Sequence, residues 1–412
     1  MLRYVFLISY IVNMAEGIPP VYDKIHIYKS LVFGGKHKIM DKKMKIFALN
    51  IGSTSTKVAM FEGRDKVYEG KAEHDAGRIR SFKSIMDQKE MRVEGIKELL
   101  EQAGLTLDNC DAIVARCGGT GPIPGGTYEV NETLVRRLTD PSTHKHNADL
   151  GGVIADMLAR DYGCRAFFVD SPETDEFQPL ARITGFKEVY KVCSTHTLNQ
   201  KAVCRYYAEK CGKKYQDLNL VVAHIGGGVS VSAHCRGRII DSTNLIRGDG
   251  PMAPTRSGEI QAMTIIDMAY SGKWERKALE DRVNMGGGLM DHLGTADVVE
   301  IRRRIENGDK YAEYVYDGMI YQIGKYIGMM GAVLEGAVDA VLLTGGISRD
   351  EYLVEKLKKM CGYLAPVEAV AGEFEMEALG LGAYRVLSGE EEARQYSEEF
   401  TFTGIEDLLK DY

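Results

Sequence analysis

The first 43 residues contain no apolar run long enough to cross a bilayer. The longest, residues 4–12, spans nine positions and is interrupted by Ser9 and Tyr10, against the ~20 a membrane helix needs. Arg3 precedes that run, yet no small-x-small cleavage site follows it, which argues against a secretory signal. The eight cysteines (110, 117, 164, 193, 204, 211, 235 and 361) are scattered and none is spaced as CxxC. Neither a zinc cluster nor a disulfide framework is indicated, and reduced thiols in the cytoplasm are expected. A basic excess is missing too: 52 Lys and Arg face 59 Asp and Glu, for a net charge of −7. That excludes a wide basic face for nucleic acid, while a local cluster for a phosphorylated ligand stays open. There is no G-x-x-x-x-G-K-[ST] Walker loop, and no G-x-G-x-x-G stands between a strand and a helix, so two common nucleotide fingerprints are ruled out.

What the chain does have is a globular balance, 44% hydrophobic and 27% charged, over a length sufficient for two cores. Glycine is in excess, 45 residues, and much of that excess is bunched into a few short loops. Residues 1–43 carry seven bases and three acids without a periodic pattern; they are expected to be a dispensable extension. From Met44 a strand (46–50), a loop (51–56), a strand (57–62), a turn (63–65) and a third strand (66–72) follow in order. A helix is expected over 91–103 and a strand over 112–115 that runs into Cys117-Gly118-Gly119-Thr120-Gly121. About 175 residues downstream the same order returns: a strand (219–225), the glycines 226–228, a strand (229–233), a turn at Cys235-Arg236-Gly237 and a strand (238–241). Apolar helices over 262–269 and 311–334 precede a buried strand (338–343) ending in Thr344-Gly345-Gly346-Ile347-Ser348. This alternation predicts an α/β protein with buried sheets, and the repeat predicts two related lobes around a cleft. Residues 44–175 with 380–396 are assigned to the first lobe and 176–379 to the second, and 397–412 to an acidic tail. Residues 389–412 hold eight acids and two bases, which reads as solvated.

A tight loop rich in glycine and hydroxyls between two strands exposes backbone N–H groups that cradle phosphate oxygens. Two such loops facing each other would grip a triphosphate, although a lone Gly226-Gly227-Gly228 is more often a plain turn. Asn50, ending the first strand, is placed to hold Mg²⁺ directly or through water, or else to cap a turn. Arg116, before a glycine run, and Arg256, in a polar loop after Asp249-Gly250-Pro251, offer planar donor forks suited to carboxylate or phosphate; either could equally be a surface arginine. His146, His196 and His224 stand at short polar turns, and Asp170 stands where a buried strand exits. Arg302-Arg303-Arg304 reads as one solvated helix face.

The order and wording of these segments, over about residues 44–387, resemble the acetate and butyrate kinase family, within the superfamily of actin, hexokinase and Hsp70-like ATPases. Asn50-Ile51-Gly52-Ser53-Thr54-Ser55-Thr56-Lys57 looks like the family's first phosphate loop. Arg116 followed by Pro122-Ile123-Pro124-Gly125-Gly126-Thr127-Tyr128-Glu129-Val130-Asn131 is similar to the butyrate branch's substrate segment, where the acetate branch reads His-Arg-Val-Val-His-Gly-Gly. The resemblance continues through His196-Thr197-Leu198-Asn199-Gln200-Lys201-Ala202, His224 to Ser230, Arg256-Ser257-Gly258, Leu293-Gly294-Thr295-Ala296-Asp297, Thr344 to Ile347 and Gly372-Glu373-Phe374-Glu375-Met376.

The resemblance implies a duplicated ribonuclease H-like fold and reversible phosphoryl transfer between ATP and a short-chain carboxylate, butyrate or isobutyrate ahead of acetate. It implies that Asn50 and Glu375 (or Glu377, one step of alignment away) hold Mg²⁺. Ser55, Lys57, His224 and Gly226, Gly227 and Gly228 would meet the phosphates, and Asp297 with Gly345, Gly346 and Ile347 the rest of the nucleotide. Arg116, Arg256 and His196 would grip the carboxylate and the moving phosphoryl group, with Asp170 as the active-site acid. A homo-oligomer is implied, with neither membrane nor nucleic acid as partner. Because a carboxylate is already an anionic nucleophile, no general base is required, and Asp170 is read as orienting its neighbours. An acetate or propionate kinase is the nearest alternative. A sugar kinase that uses Asp170 as base and an ATP-driven binding module without a carboxylate pocket are the more distant ones.

Overall fold

The computed structural model describes residues 44–142 and 146–410; the extension expected over 1–43 lies outside them. Among the described residues, twelve strands form two sheets. The first holds β1 (Lys45–Ile51), β2 (Ser55–Glu62), β3 (Asp65–Glu73), β4 (Ala112–Ala115), β5 (Thr127–Glu129), β6 (Arg165–Val169) and, from the far end of the sequence, β12 (Arg394–Gln395). The second holds β7 (Asn219–Ile225), β8 (Val229–Cys235), β9 (Arg238–Ser242), β10 (Ala340–Thr344) and β11 (Val367–Ala369). Spatial order is β12-β5-β6-β4-β1-β2-β3 in one and β11-β10-β7-β8-β9 in the other.

The expected repeat is visible in this pairing. β1, β2 and β3 form an antiparallel meander, with β4 parallel to β1 and β6 parallel to β4. β7, β8 and β9 do the same, with β10 parallel to β7 and β11 parallel to β10. The parallel strands are apolar on both faces: Phe47, Leu49 and Ile51 enter one cluster of the first sheet, Ile46 and Ala48 the opposite one, the pattern of a sheet covered on both sides.

Among the helices between the strands are α1 (Lys89–Gln102), α2 (Asp149–Tyr162), α3 (Thr197–Lys210), α4 (Ala262–Tyr270), α5 (Lys310–Val333), α6 (Glu351–Cys361) and α7 (Glu375–Leu387). α1 and α2 cover one face of the first sheet through Ile96, Leu100, Ile154 and Leu158. α7 covers the other, with Met376, Leu379 and Ala383 against Ile46 and Ala48; the boundary expected at residue 380 therefore falls inside a helix. α5 and α6 cover the second sheet through Tyr316, Ile320, Ile323, Leu353 and Leu357. α4 forms as expected, but none of its residues is buried.

Two expectations need correction. Residues 389–402 are not a solvated tail, because aromatics sit among the acids and pack. Tyr396 is buried and donates from its hydroxyl to the Thr120 carbonyl at 2.7 Å, Thr401 N–H donates to the Pro122 carbonyl at 2.9 Å, and the Arg182 guanidinium lies 4.5 Å from the Phe402 ring centre. Nor is the 302–304 arginine run simply solvated: Arg302 stacks over Tyr352, and Arg304 donates to the Leu293 carbonyl at 2.9 Å.

Candidate active site

The duplication sets two glycine loops against one cleft. Asn50 is the penultimate residue of β1 and pairs across its hairpin with Lys57, and His224 holds the same place in β7, opposite Ser230. The loops that follow, 52–54 and 226–228, are the β1–β2 and β7–β8 hairpin connections. Between them lies a cavity of about 300 Å³ lined by Asn50, Gly52, Ser55, Lys57, Arg116, His196, His224, Gly226, Gly227, Glu373 and Glu375. Nine of these were singled out in the sequence as site residues. The other two, Gly52 in the first phosphate-loop motif and Glu373 in the motif at 372–376, were not assigned a role.

The first loop is held from behind. Arg92, fully buried on α1, donates to the backbone carbonyls of Ser53 at 2.9 Å and Ser55 at 3.2 Å and to the Gln88 side-chain oxygen at 2.9 Å. Burial pushes its pKa down, and the fixed cation raises the potential beneath the loop. On the cleft side Lys57 reaches Glu373 at 3.4 Å, both ends being well exposed. Asn50 Nδ2 donates to Glu375 Oε2 at 2.6 Å, and Arg116 Nε stands 3.9 Å from Glu375 Oε1. Glu377, two residues further along α7, faces Lys66 at 3.0 Å instead.

On the second side the rings of His196 and His224 stack with centres 3.7 Å apart and planes 18° from parallel. Burial first, then the neighbouring ring and the charges of Arg256 and Arg116, hold His196 well below the usual histidine range. Burial likewise takes His224 down to about 4. Both rings are therefore neutral at pH 7, each with one N–H to donate and no charge. Arg256 lies under the second loop: its Nε and Nη1 are buried without a hydrogen-bond partner among the described residues. A buried guanidinium left with unused donors is costly, and an anionic ligand would satisfy it.

Other residues singled out in the sequence lie outside the cavity lining. Asp170 is buried at the exit of β6 with φ +40°. It accepts from Gly126 N–H at 2.9 Å and from Arg205 at 3.1 Å and lies 3.8 Å from Lys201. Burial alone would raise its pKa, but Arg205 and Lys201 hold it below the ordinary aspartate value. Asp297 caps the N-terminus of the helix that follows it, accepting from Val299 N–H at 2.9 Å. Gly345 follows β10 and exchanges paired backbone hydrogen bonds of 3.1 Å with Gly372, tying the loop that contains Gly346 and Ile347 to the segment that carries Glu373 and Glu375. His146 is structural, its Nδ1 accepting from Ala148 N–H. Arg92, in the first turn of α1, escaped the sequence reading because an arginine on a helix gives no signal until its burial is known.

A five-strand unit present twice, with the equivalent hairpin loops facing one cleft, is the architecture of the actin-like ATPases. Solved structures agree: the chain superposes on the crystal structure of acetate kinase from Porphyromonas gingivalis with TM-score 0.70 at 20% identity, covering 82% of this chain and 99% of that one. A propionate kinase from Francisella tularensis gives TM-score 0.67 at 18% identity, over 82% and 98%. The family model of the acetokinase family matches residues 185–365. A probable butyrate kinase of Phocaeicola vulgatus is 42% identical over 356 residues, 86% of this chain and 100% of that protein. Butyrate kinase 2 of Clostridium acetobutylicum is 38% identical over 354 residues, 86% and 99%. The chain belongs to the acetate and butyrate kinase family.

Proposed function

We propose that this chain transfers a phosphoryl group reversibly between ATP and butyrate or isobutyrate. Relatives named butyrate kinase at 38–42% identity support this reading, as does the Pro122 to Asn131 segment. The observation that carries it is Arg256, with two buried, unpartnered donors, whose charge acts together with that of Arg116 on two neutral histidines, a setting that calls for an anion.

In the forward direction a carboxylate oxygen attacks the γ-phosphorus, a new P–O bond forms as the bond to the β-phosphate oxygen breaks, and ADP leaves with the electron pair. No proton moves, so the residues supply position and charge. Arg116 and Arg256 neutralise the phosphoryl and carboxylate oxygens, His196 and His224 donate N–H to them, and Ser55, Lys57 and the glycine N–H groups hold the remaining phosphates. Asn50 and Glu375 offer only hard oxygen donors beside the phosphate loop, a set suited to Mg²⁺; when bound, that ion offsets charge on the phosphate oxygens. Asp297 with Gly345, Gly346 and Ile347 would meet the nucleoside. Asp170, already ionised and paired, holds the Gly125–Gly126 turn rather than accepting a proton.

Residues 44–175 with α7 and β12 would act as one lobe and the residues between them as the other, in a cytoplasmic homo-oligomer. No helix among the described residues is long and apolar enough to cross a membrane. The exposed apolar face of α4, with Met263, Ile266 and Tyr270, supports self-association, which Met263→Asp should weaken in sedimentation analysis.

The reaction is tested by trapping acyl phosphate with hydroxylamine, using Mg-ATP and acetate, propionate, butyrate or isobutyrate. One methylene in an apolar pocket is worth only ~1–3 kcal/mol, so a preference of about tenfold for the C4 acids is expected. Highest kcat/KM with acetate would refute the chain-length assignment, and absence of product with every acid would refute the reaction.

A further inference from the structure

The two amides that follow one another on α3, Asn199 and Gln200, act on different histidines of the stacked pair, Asn199 directly and Gln200 through Ser230. Asn199 Nδ2 lies 2.9 Å from His224 Nδ1. Its orientation is settled by its other partners: the Phe374 backbone N–H, which only donates, gives to Asn199 Oδ1 at 2.8 Å. The Thr344 hydroxyl accepts from Asn199 Nδ2 at 3.1 Å while donating to the Gly372 carbonyl at 3.2 Å. With Nδ2 fixed as the donor, His224 Nδ1 is an acceptor, and the proton of this neutral ring is on Nε2.

Gln200 acts one group further away. Its Nε2 donates to Ser230 Oγ at 2.9 Å and faces the Ser230 carbonyl, which only accepts, at 3.5 Å. Its Oε1 accepts from His234 Nε2 at 3.0 Å, and His234 Nδ1 accepts in turn from the Tyr215 hydroxyl at 2.6 Å. Ser230 Oγ, filled on one lone pair by Gln200, has its own proton to give and stands 2.8 Å from His196 Nδ1. Tyr215, His234, Gln200 and Ser230 thus form one buried chain whose donors all point the same way, ending on His196 Nδ1 and leaving the proton of that ring on Nε2.

We propose that Asn199 and Gln200 are positioning residues that lock both stacked histidines in the Nε2–H tautomer, so that two neutral N–H donors are presented together to the anion in the cleft. Left to itself a neutral imidazole exchanges tautomers, and a ring with Nε2 unprotonated would turn a lone pair toward the phosphoryl oxygens. The effect on catalysis rests on the reaction proposed above; the tautomers themselves do not.

The test is long-range ¹H–¹⁵N correlation on the full-length, histidine-labelled protein, with His196 and His224 assigned by single substitutions. The wild type should show protonated Nε2 and unprotonated Nδ1 on both rings near pH 7; a protonated Nδ1 on either ring would overturn the proposal whatever the variants do. Asn199→Asp, which replaces the donor by an acceptor, should move the proton of His224 to Nδ1 or charge the ring. Gln200→Glu should do the same to His196 through Ser230. In both, kcat should fall by roughly 10²–10³, as for loss of one oriented donor, with KM for ATP changed less than threefold. Unaltered ring nitrogens in Asn199→Asp, or a displaced proton with wild-type kcat, would refute the lock. A wild type with the expected tautomers but no activity on any carboxylate would instead refute the reaction and leave the tautomer lock standing.

Discussion

Gly228 and Arg256 compete for one volume: a Cβ placed on Gly228 would lie 1.5 Å from Arg256 Nη1. The second loop thus needs glycine at 228 because an arginine occupies the space a side chain would take. Gly228→Ala should push the flexible guanidinium aside and leave the fold intact. Its kcat/KM should fall as far as that of Arg256→Ala, by roughly 10²–10³, with the double variant no worse than either. Arg256→Lys should recover little, since a point charge does not reproduce a two-pronged donor. Thermal melts and steady-state kinetics on these variants check this.

Asp170 makes a separate prediction about stability. Asp170→Asn leaves Lys201, buried, and Arg205, partly buried, with less anionic compensation, and is expected to cost up to roughly 3–5 kcal/mol in urea denaturation. The native pKa of Asp170 is depressed, so its contribution is present above about pH 4 and disappears as pH falls through the native value. The two proteins should converge at acid pH. The acidic limb of the kcat/KM profile should persist in the variant; its disappearance would identify Asp170 as a base.

Three buried or partly buried histidines govern the approach to acid. His224 is held at about 4 and His234 at about 3, each chiefly by burial, and His196 well below its usual range. Unfolded, each titrates near ~6.5. Between about pH 6.5 and 4 the unfolded chain therefore binds up to three protons that the folded one does not, and stability falls as pH falls, by at most roughly 4 kcal/mol per unit. His224→Gln should reduce that slope by about a third in urea denaturation at a series of pH values.

The segment proposed to meet the carboxylate is clamped by the end of the described chain. Tyr396 and Thr401 hold the carbonyls of Thr120 and Pro122, and Asn131 Nδ2 donates to the Tyr396 carbonyl at 2.8 Å. Tyr396→Phe should raise KM for the carboxylate roughly fivefold, the equivalent of ~1 kcal/mol for one lost hydrogen bond, with KM for ATP unchanged. An equal rise in both constants would show that the clamp supports the whole site.

The strand–glycine loop–strand repeat was legible because short apolar runs are punctuated by glycine turns, and the structure puts Asn50 and His224 in equivalent positions within it. The packing of Tyr396 and Phe402 was not, because the charge of residues 389–412 masks a few aromatics whose partners lie more than 200 residues away. Arg92 and the amides Asn199 and Gln200 act through three-dimensional contacts with backbone groups and rings, which no local pattern announces. The residues proposed for phosphoryl transfer, by contrast, came from motif wording, which carries the chemistry more directly than periodicity does.

Placing α7 and β12 on the first sheet has a consequence for synthesis. β1 to β6 leave the ribosome early, but the face formed by Ile46 and Ala48 stays uncovered until Met376 and Leu379 arrive, and β5 gains its β12 neighbour later still. The second sheet, contained within residues 219–369, has no such wait. Between Val169, the end of β6, and Met376 the nascent chain must therefore carry an open apolar sheet through roughly 200 residues of elongation, at about 5–20 residues per second, a window of tens of seconds in which chaperones have an exposed surface to hold.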